Sequence, residues 1–221
     1  MLKQEAMNKT TRGYNKGLKP LVTFLLSSLL FTLNNIAFAE GEKEPIVIMG
    51  TTDIHGRIYP IDYFTGKEDN KGLAKIYTKE KELRNKYKNT LLVDSGDLLQ
   101  GTPLTNYFGG VDKVSINPMV KAFNFMKYDA FGVGNHEYDY GLDNLFRAEK
   151  TANFPFLSAN TYVYKQNKTA FKPYVIKELN GIKVGIVGFT TPGVAVWSKG
   201  FVSEKFEYKD FETGIDILGR N

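Results

Sequence analysis

The sequence predicts an α/β layered fold, on three observations. Short apolar runs rich in branched residues alternate with stretches of helical periodicity. The first three of these runs end in polar residues and glycine, and no repeat or Pro/Ser-rich tract divides the chain after residue 40. At 42% hydrophobic and 24% charged, the 221 residues have the composition of an ordinary globular protein rather than a disordered or multi-span membrane one.

Residues 45–49 are apolar, flanked by charged residues and by Gly50-Thr51-Thr52-Asp53, and read as a buried strand. From Leu73 the apolar positions Leu73, Ile76, Tyr77, Leu83 and Tyr87 recur at helical spacing until Asn89 and Thr90 break the pattern. Leu91-Leu92-Val93 is a second strand that runs into Asp94-Ser95-Gly96-Asp97. Pro118 after Asn117 is well placed to open a helix, whose apolar face is Met119, Val120, Phe123 and Met126. A third strand over 130–133 ends in Gly134-Asn135-His136-Glu137. Leu142, Leu145 and Phe146 mark a further helix, and 156–159 a fourth strand. Residues 174–176 and 183–189 form a β-hairpin around Asn180-Gly181, and a last helix begins near Glu212.

Residues 1–39 read differently. A basic stretch ends at Pro20, an apolar run covers 21–33, and Ala37-Phe38-Ala39 precedes acidic Glu40, which is the layout of a secretory signal peptide. The apolar run is shorter than the ~20 residues that span a bilayer. The expectation is cleavage after Ala39, an extracytoplasmic location (periplasmic or secreted), and no stable membrane span afterwards. The remaining 182 residues can form one core. This leader carries five basic residues and one acid of the total behind the +5 net charge, which leaves 24 bases against 23 acids. No basic stripe suited to nucleic acid is evident in the folded part.

The absence of cysteine excludes disulfides, thiolate zinc sites and a cysteine nucleophile, so any metal chemistry must use oxygen ligands and two histidines. Both histidines fall at strand ends. Asp53 and His55 follow the first strand, Asp97 the second, and Asn135 and His136 the third, with Asp139 one turn further on; functional residues of α/β sheets gather at this edge. An extended Asp53-Ile54-His55 would direct both side chains to the same side. Asp53-x-His55 alone is a weak signal, but Gly-Asn-His-Glu would arise by chance in a chain this long only on the order of once in a thousand. The set fits two divalent cations sharing one carboxylate. Asp53 and His55 would hold the first, Asp97 would bridge, and the Asn135 amide oxygen would bind the second. That mixture suits manganese, zinc, iron or cobalt more than calcium. Two such ions can clamp a phosphate and lower the pKa of a shared water for in-line attack. His136 would protonate the leaving oxygen, with Asp139 fixing its tautomer. No nucleophile elbow or glycosidase-type carboxylate pair competes with this arrangement.

These residues resemble the calcineurin-like binuclear metallophosphoesterases, in particular the branch of secreted 5′-nucleotidases and bacterial 2′,3′-cyclic-nucleotide 2′-phosphodiesterase/3′-nucleotidases. The resemblance is carried by TTDIHG from Thr51, LLVDSGDLLQGTPL from Leu91 and GNHEYDYGLDNL from Gly134, and by Tyr63-Phe64, Asn117-Pro118, 154–160, Gly188-Phe189-Thr190-Thr191-Pro192 and Trp197. It implies a four-layer α/β/β/α sandwich, a small nucleotide as substrate, and the roles given above to Asp53, His55, Asp97, Asn135, His136 and Asp139. The family completes its metal sites with later histidines and adds a second domain that grips the base, whereas no histidine follows His136 here. The expectation is therefore the N-terminal part (40–221) of a C-terminally incomplete catalytic domain, weakly active or inactive alone. A non-catalytic module holding metal or nucleotide is the competing reading, and a secreted metal-dependent amidase fits less well.

Overall fold

The computed structural model describes residues 44–202 and 204–216, so the expected signal peptide lies outside the described residues. Four parallel strands lie side by side in chain order: β1 (Ile46–Thr51), β2 (Asn89–Asp94), β3 (Ala130–Gly132) and β4 (Phe156–Leu157). β1 and β2 are in full register from Ile46 opposite Asn89 to Thr51 opposite Asp94. Parallel neighbours need crossovers, and a helix supplies one in each gap. α1 (Leu73–Lys86) joins β1 to β2, α2 (Pro103–Asn106) and α3 (Pro118–Met126) lie between β2 and β3, and α4 (Leu142–Thr151) joins β3 to β4. Right-handed crossovers between strands in sequential order place their helices on one face of a sheet.

Local chemistry sets the helix ends. Asn117 accepts the Met119 N–H on its side-chain oxygen at 2.9 Å, with Pro118 as the first helical residue of α3. Lys127 then turns left-handed (φ 56°) and ends the helix. α3 buries Met119, Val120, Phe123 and Met126, the face that the periodicity predicts. The Phe123 ring stacks on Tyr128 at 3.7 Å and meets Phe131 and Phe154, while Phe131 meets Phe156 at 4.6 Å. This aromatic cluster joins α3 to β3 and β4, and with Leu73, Leu92 and Leu145 it forms the core.

The opposite sheet face carries Ile48 and Leu91, which sit opposite each other in register. Strands β6 (Tyr174–Leu179) and β7 (Ile182–Val187) form the antiparallel hairpin expected around Asn180-Gly181. The hairpin is tied to this face: Asn180 donates to the Asn89 side-chain oxygen at 2.7 Å, and Lys177 pairs with Asp129 at 3.2 Å. Leu91 is buried, whereas Ile48, on edge strand β1, is 61% exposed. The described residues thus build helix, parallel-sheet and hairpin layers, in agreement with the α/β class.

Several elements were not expected from the sequence. α2 is closed by Thr102 and Thr105, each hydroxyl accepting the other residue's backbone N–H, and a π turn (Tyr107–Val111) follows it. β5 (Thr161–Val163) pairs antiparallel with β8 (Phe206–Tyr208), and α5 (Val194–Trp197) and α6 (Lys199–Val202) fill the connection after β7. All are three to five residues long, too short to show a period. The last helix, α7, spans Phe211–Asp216. Among the described residues no helix is long and apolar enough to cross a membrane.

Candidate metal centre

The three loops predicted to carry chemistry leave the carboxyl ends of β1, β2 and β3, which are neighbours in the sheet. Beyond the strands, the first two loops continue to pair. Ser95 N–H donates to Thr51, Asp53 N–H to Gly96, His55 N–H to Asp97 and Gly56 N–H to Leu98, all at 2.9–3.1 Å. The sequence suggests an extended Asp53-Ile54-His55, and the structure corrects this. Asp53 (φ 53°) and His55 (φ 48°) are both left-handed, as is Asp97 (φ 62°). Such conformations are unfavourable for residues with a Cβ and persist where surrounding bonds enforce them, often at functional sites. Ile54 is tucked into the core, and the two flanking side chains come together through the double left-handed turn rather than by strand alternation.

The site therefore assembles by tertiary contact. Donor atoms of His55, Asp97 and His136 all lie within 4.8 Å of one another. The two imidazoles stand edge to face at 5.2 Å. Asp53 lies beside them, 3.7 Å from His55 Nε2, and its other oxygen accepts the Thr52 hydroxyl. Asn135 starts the 3₁₀ turn (His136–Tyr138) that presents His136. That turn also brings Asp139 Oδ2 to 2.8 Å from His136 Nδ1.

The two histidines differ in what holds them. His55 Nδ1 is 3.0 Å from the Gln100 carbonyl oxygen. A carbonyl can only accept, so Nδ1 carries the proton and Nε2 keeps its lone pair, which is how metal-binding imidazoles are usually oriented. His136 leans instead on a carboxylate. Burial opposes its charging, but the Asp139 hydrogen bond and the negative fields of Asp97, Asp139 and Glu137 outweigh it and raise its pKa above the ordinary value.

Two carboxylates to which the sequence assigns no role sit beneath the loops. Glu137 is fully buried and accepts four backbone N–H groups, from Asp97, Leu98, Leu99 and Gly134. Burial raises its pKa, against the lowering effect of those bonds. Its place inside the Gly-Asn-His-Glu motif was the only signal. Asp94 accepts the Thr51 hydroxyl at 2.6 Å and the Gly96 N–H at 2.8 Å. Burial pushes Asp94 up to about 7, the two hydrogen bonds offset this only in part, and Glu137 and Asp53 add to it. An acid raised in the folded state holds its proton longer than the unfolded chain does. Its stabilising contribution is complete below about pH 4 and is lost as pH rises to about 7. With chelator present, the wild type is expected to lose on the order of 3–4 kcal/mol more than Asp94→Asn between pH 4 and 7.5. Urea unfolding at both pH values measures this, and parallel profiles would exclude it.

A cleft of about 610 Å³, whose walls include Gly109, Tyr140, Arg147 and Phe201, contains none of the six predicted site residues.

A parallel sheet with helical crossovers and His and Asp side chains converging at its carboxyl edge describes a metal-dependent phosphoesterase scaffold. The chain belongs to the calcineurin-like phosphoesterase family, whose family model matches residues 46–210. It is 36% identical over 198 residues to a 2′,3′-cyclic-nucleotide 2′-phosphodiesterase/3′-nucleotidase of Salmonella typhimurium, covering 84% of this chain and 30% of that protein. It is 37% identical over 200 residues to a snake venom 5′-nucleotidase of Crotalus adamanteus, covering 84% and 33%. The crystal structure of the calcineurin-like phosphoesterase YfkN from Bacillus subtilis superimposes with a TM-score of 0.70 at 33% identity, over 79% of this chain and 57% of that one. The chain thus spans about a third of the length of these two curated relatives.

Proposed function

We propose that this chain supplies a two-cation centre for hydrolysis of nucleotide phosphoesters, of the 2′,3′-cyclic-nucleotide 2′-phosphodiesterase/3′-nucleotidase type. The observation that carries the reading is the convergence of His55, Asp97 and His136 donor atoms within 4.8 Å at the ends of three adjacent strands. The donor set suits a borderline divalent cation such as manganese, zinc, iron or cobalt, because it pairs an imidazole whose lone pair is free with carboxylate oxygen. In the proposal Asp53, His55 and Asp97 hold one cation, and Asp97 with the amide oxygen of Asn135 holds the other. When bound, such ions polarise phosphoryl oxygens and make a water nucleophilic near neutral pH.

The chain's own residues do the rest. His55 is fixed in one tautomer by Gln100 and offers Nε2 as a ligand. His136, held by Asp139 and favoured in its protonated form, donates from Nε2 to the departing alkoxide. This division follows from their hydrogen-bond partners: the Gln100 carbonyl occupies Nδ1 of His55 and leaves Nε2 to face the site, while the Asp139 carboxylate on His136 favours its imidazolium. At 31% and 38% side-chain exposure, both rings remain reachable from solvent.

A 5′-nucleotidase activity agrees equally with the relatives. An Mn²⁺-supplemented assay of the protein expressed from its full reading frame, offered 2′,3′-cyclic AMP, 3′-AMP, 5′-AMP and bis(p-nitrophenyl) phosphate, separates the readings. Preference for the first two supports the proposal, and preference for 5′-AMP supports a 5′-nucleotidase. Metal binding by folded protein without turnover of any substrate would leave a non-catalytic module.

A further inference from the structure

We infer that Glu137 is a positioning residue that locks the loop after β2 against the loop after β3, and thereby sets where Asp97, Asn135 and His136 stand. The inference rests on the metal-centre reading above. Glu137 is 0% exposed, and both of its oxygens are occupied. Oε2 accepts Asp97 N–H and Gly134 N–H, each at 2.8 Å, so a single atom ties one residue of each loop. Oε1 accepts Leu98 N–H at 2.7 Å and Leu99 N–H at 3.2 Å. Three consecutive backbone N–H groups facing inward form a concavity that needs an anion. The Glu137 carboxylate, buried with them at 0% exposure, fills that place.

The lock acts directly on the candidate ligands. Asp97 is held left-handed at φ 62°, and its Oδ1 accepts His136 N–H at 2.9 Å, which gives a second tie between the loops. The loops approach so closely that a Cβ on Gly134 would lie 2.4 Å from Asp97 Oδ1 and 2.7 Å from Glu137 Oε2, and one on Gly96 would lie 2.4 Å from Gly134 N. Glu137 is consumed by these bonds beneath the loops and acts through its neighbours rather than on a ligand. Glutamine is nearly isosteric, but its amide N–H₂ would face one pair of backbone N–H donors and lose those two bonds.

The test compares Glu137→Gln with Glu80→Gln in the full chain. Glu80 is also buried, at 4% exposure, but pairs with Arg84 within α1, so it controls for loss of a buried carboxylate as such. Amide hydrogen exchange and Mn²⁺ calorimetry are read on folded protein. In the wild type the amides of Asp97, Leu98, Leu99 and Gly134 are expected to exchange slowly for loop positions. In E137Q they exchange faster and Mn²⁺ affinity falls about 10- to 100-fold, the range for residues that orient metal ligands. E80Q, matched for loss of Tm, leaves both nearly unchanged. Unchanged affinity in folded E137Q, equal losses in E80Q, or fast exchange of the four wild-type amides would each overturn the inference. If E137Q does not fold, E137D keeps the charge one carbon short and carries the same comparison. A wild type that binds no Mn²⁺ would sink the metal-centre reading, while the exchange data would still decide whether Glu137 locks the loops.

Discussion

Asp97→Asn is expected to lower kcat/KM for the best nucleotide substrate by about 10³-fold or more and to strip manganese from the purified protein. The proposed bridge serves both cations, and a metal ion contributes several kcal/mol to the transition state, with each tenfold in rate worth about 1.4 kcal/mol. Asparagine is the informative replacement because it retains an oxygen that can accept His136 N–H, as Asp97 Oδ1 does at 2.9 Å. The loop contact survives and the charge is lost. Metal content by elemental analysis, measured beside kinetics at saturating Mn²⁺, reads the two effects separately. Activity within tenfold of wild type at full metal occupancy would mean that Asp97 does not bridge.

His136→Ala is the second large effect, and its signature is a dependence on leaving group. A general acid contributes roughly 10²–10⁴-fold when the departing group needs a proton. Hydrolysis of 3′-AMP expels a ribose alkoxide and is expected to fall by that factor. Bis(p-nitrophenyl) phosphate releases a phenolate that is stable unprotonated, and its hydrolysis is expected to fall less than about tenfold by the same reasoning. Metal content should not change. A variant that loses metal and slows equally on both substrates would make His136 a ligand instead, which its place among the clustered donors also allows.

Much of this arrangement was legible from residue order. Strong periodicity placed α1, α3, α4 and the four parallel strands, because each combines a clear apolar pattern with an end signal such as Asn117-Pro118. The sequence placed the site loops too, since acids and histidines right after buried strands have few structural reasons to be there. It did not show how Asp53 and His55 reach each other. Their left-handed backbone is enforced by N–H bonds to Gly96 and Asp97, from a segment about 40 residues away. It paired His136 with Asp139, which the structure places at 2.8 Å, but gave no sign of the Gln100 carbonyl beside His55, a partner that only folding supplies.

By itself, then, the sequence determined the α/β class and the succession of strands and helices along the chain, and it supplied the side chains proposed as ligands, because these depend on local pattern and residue chemistry. Tertiary structure decided the rest. It brought loops from three strands together, buried Glu137 where four N–H groups meet, and set the Gln100 carbonyl against Nδ1 of His55. Burial and electrostatic environment belong to the folded neighbourhood, and no local window of sequence contains them.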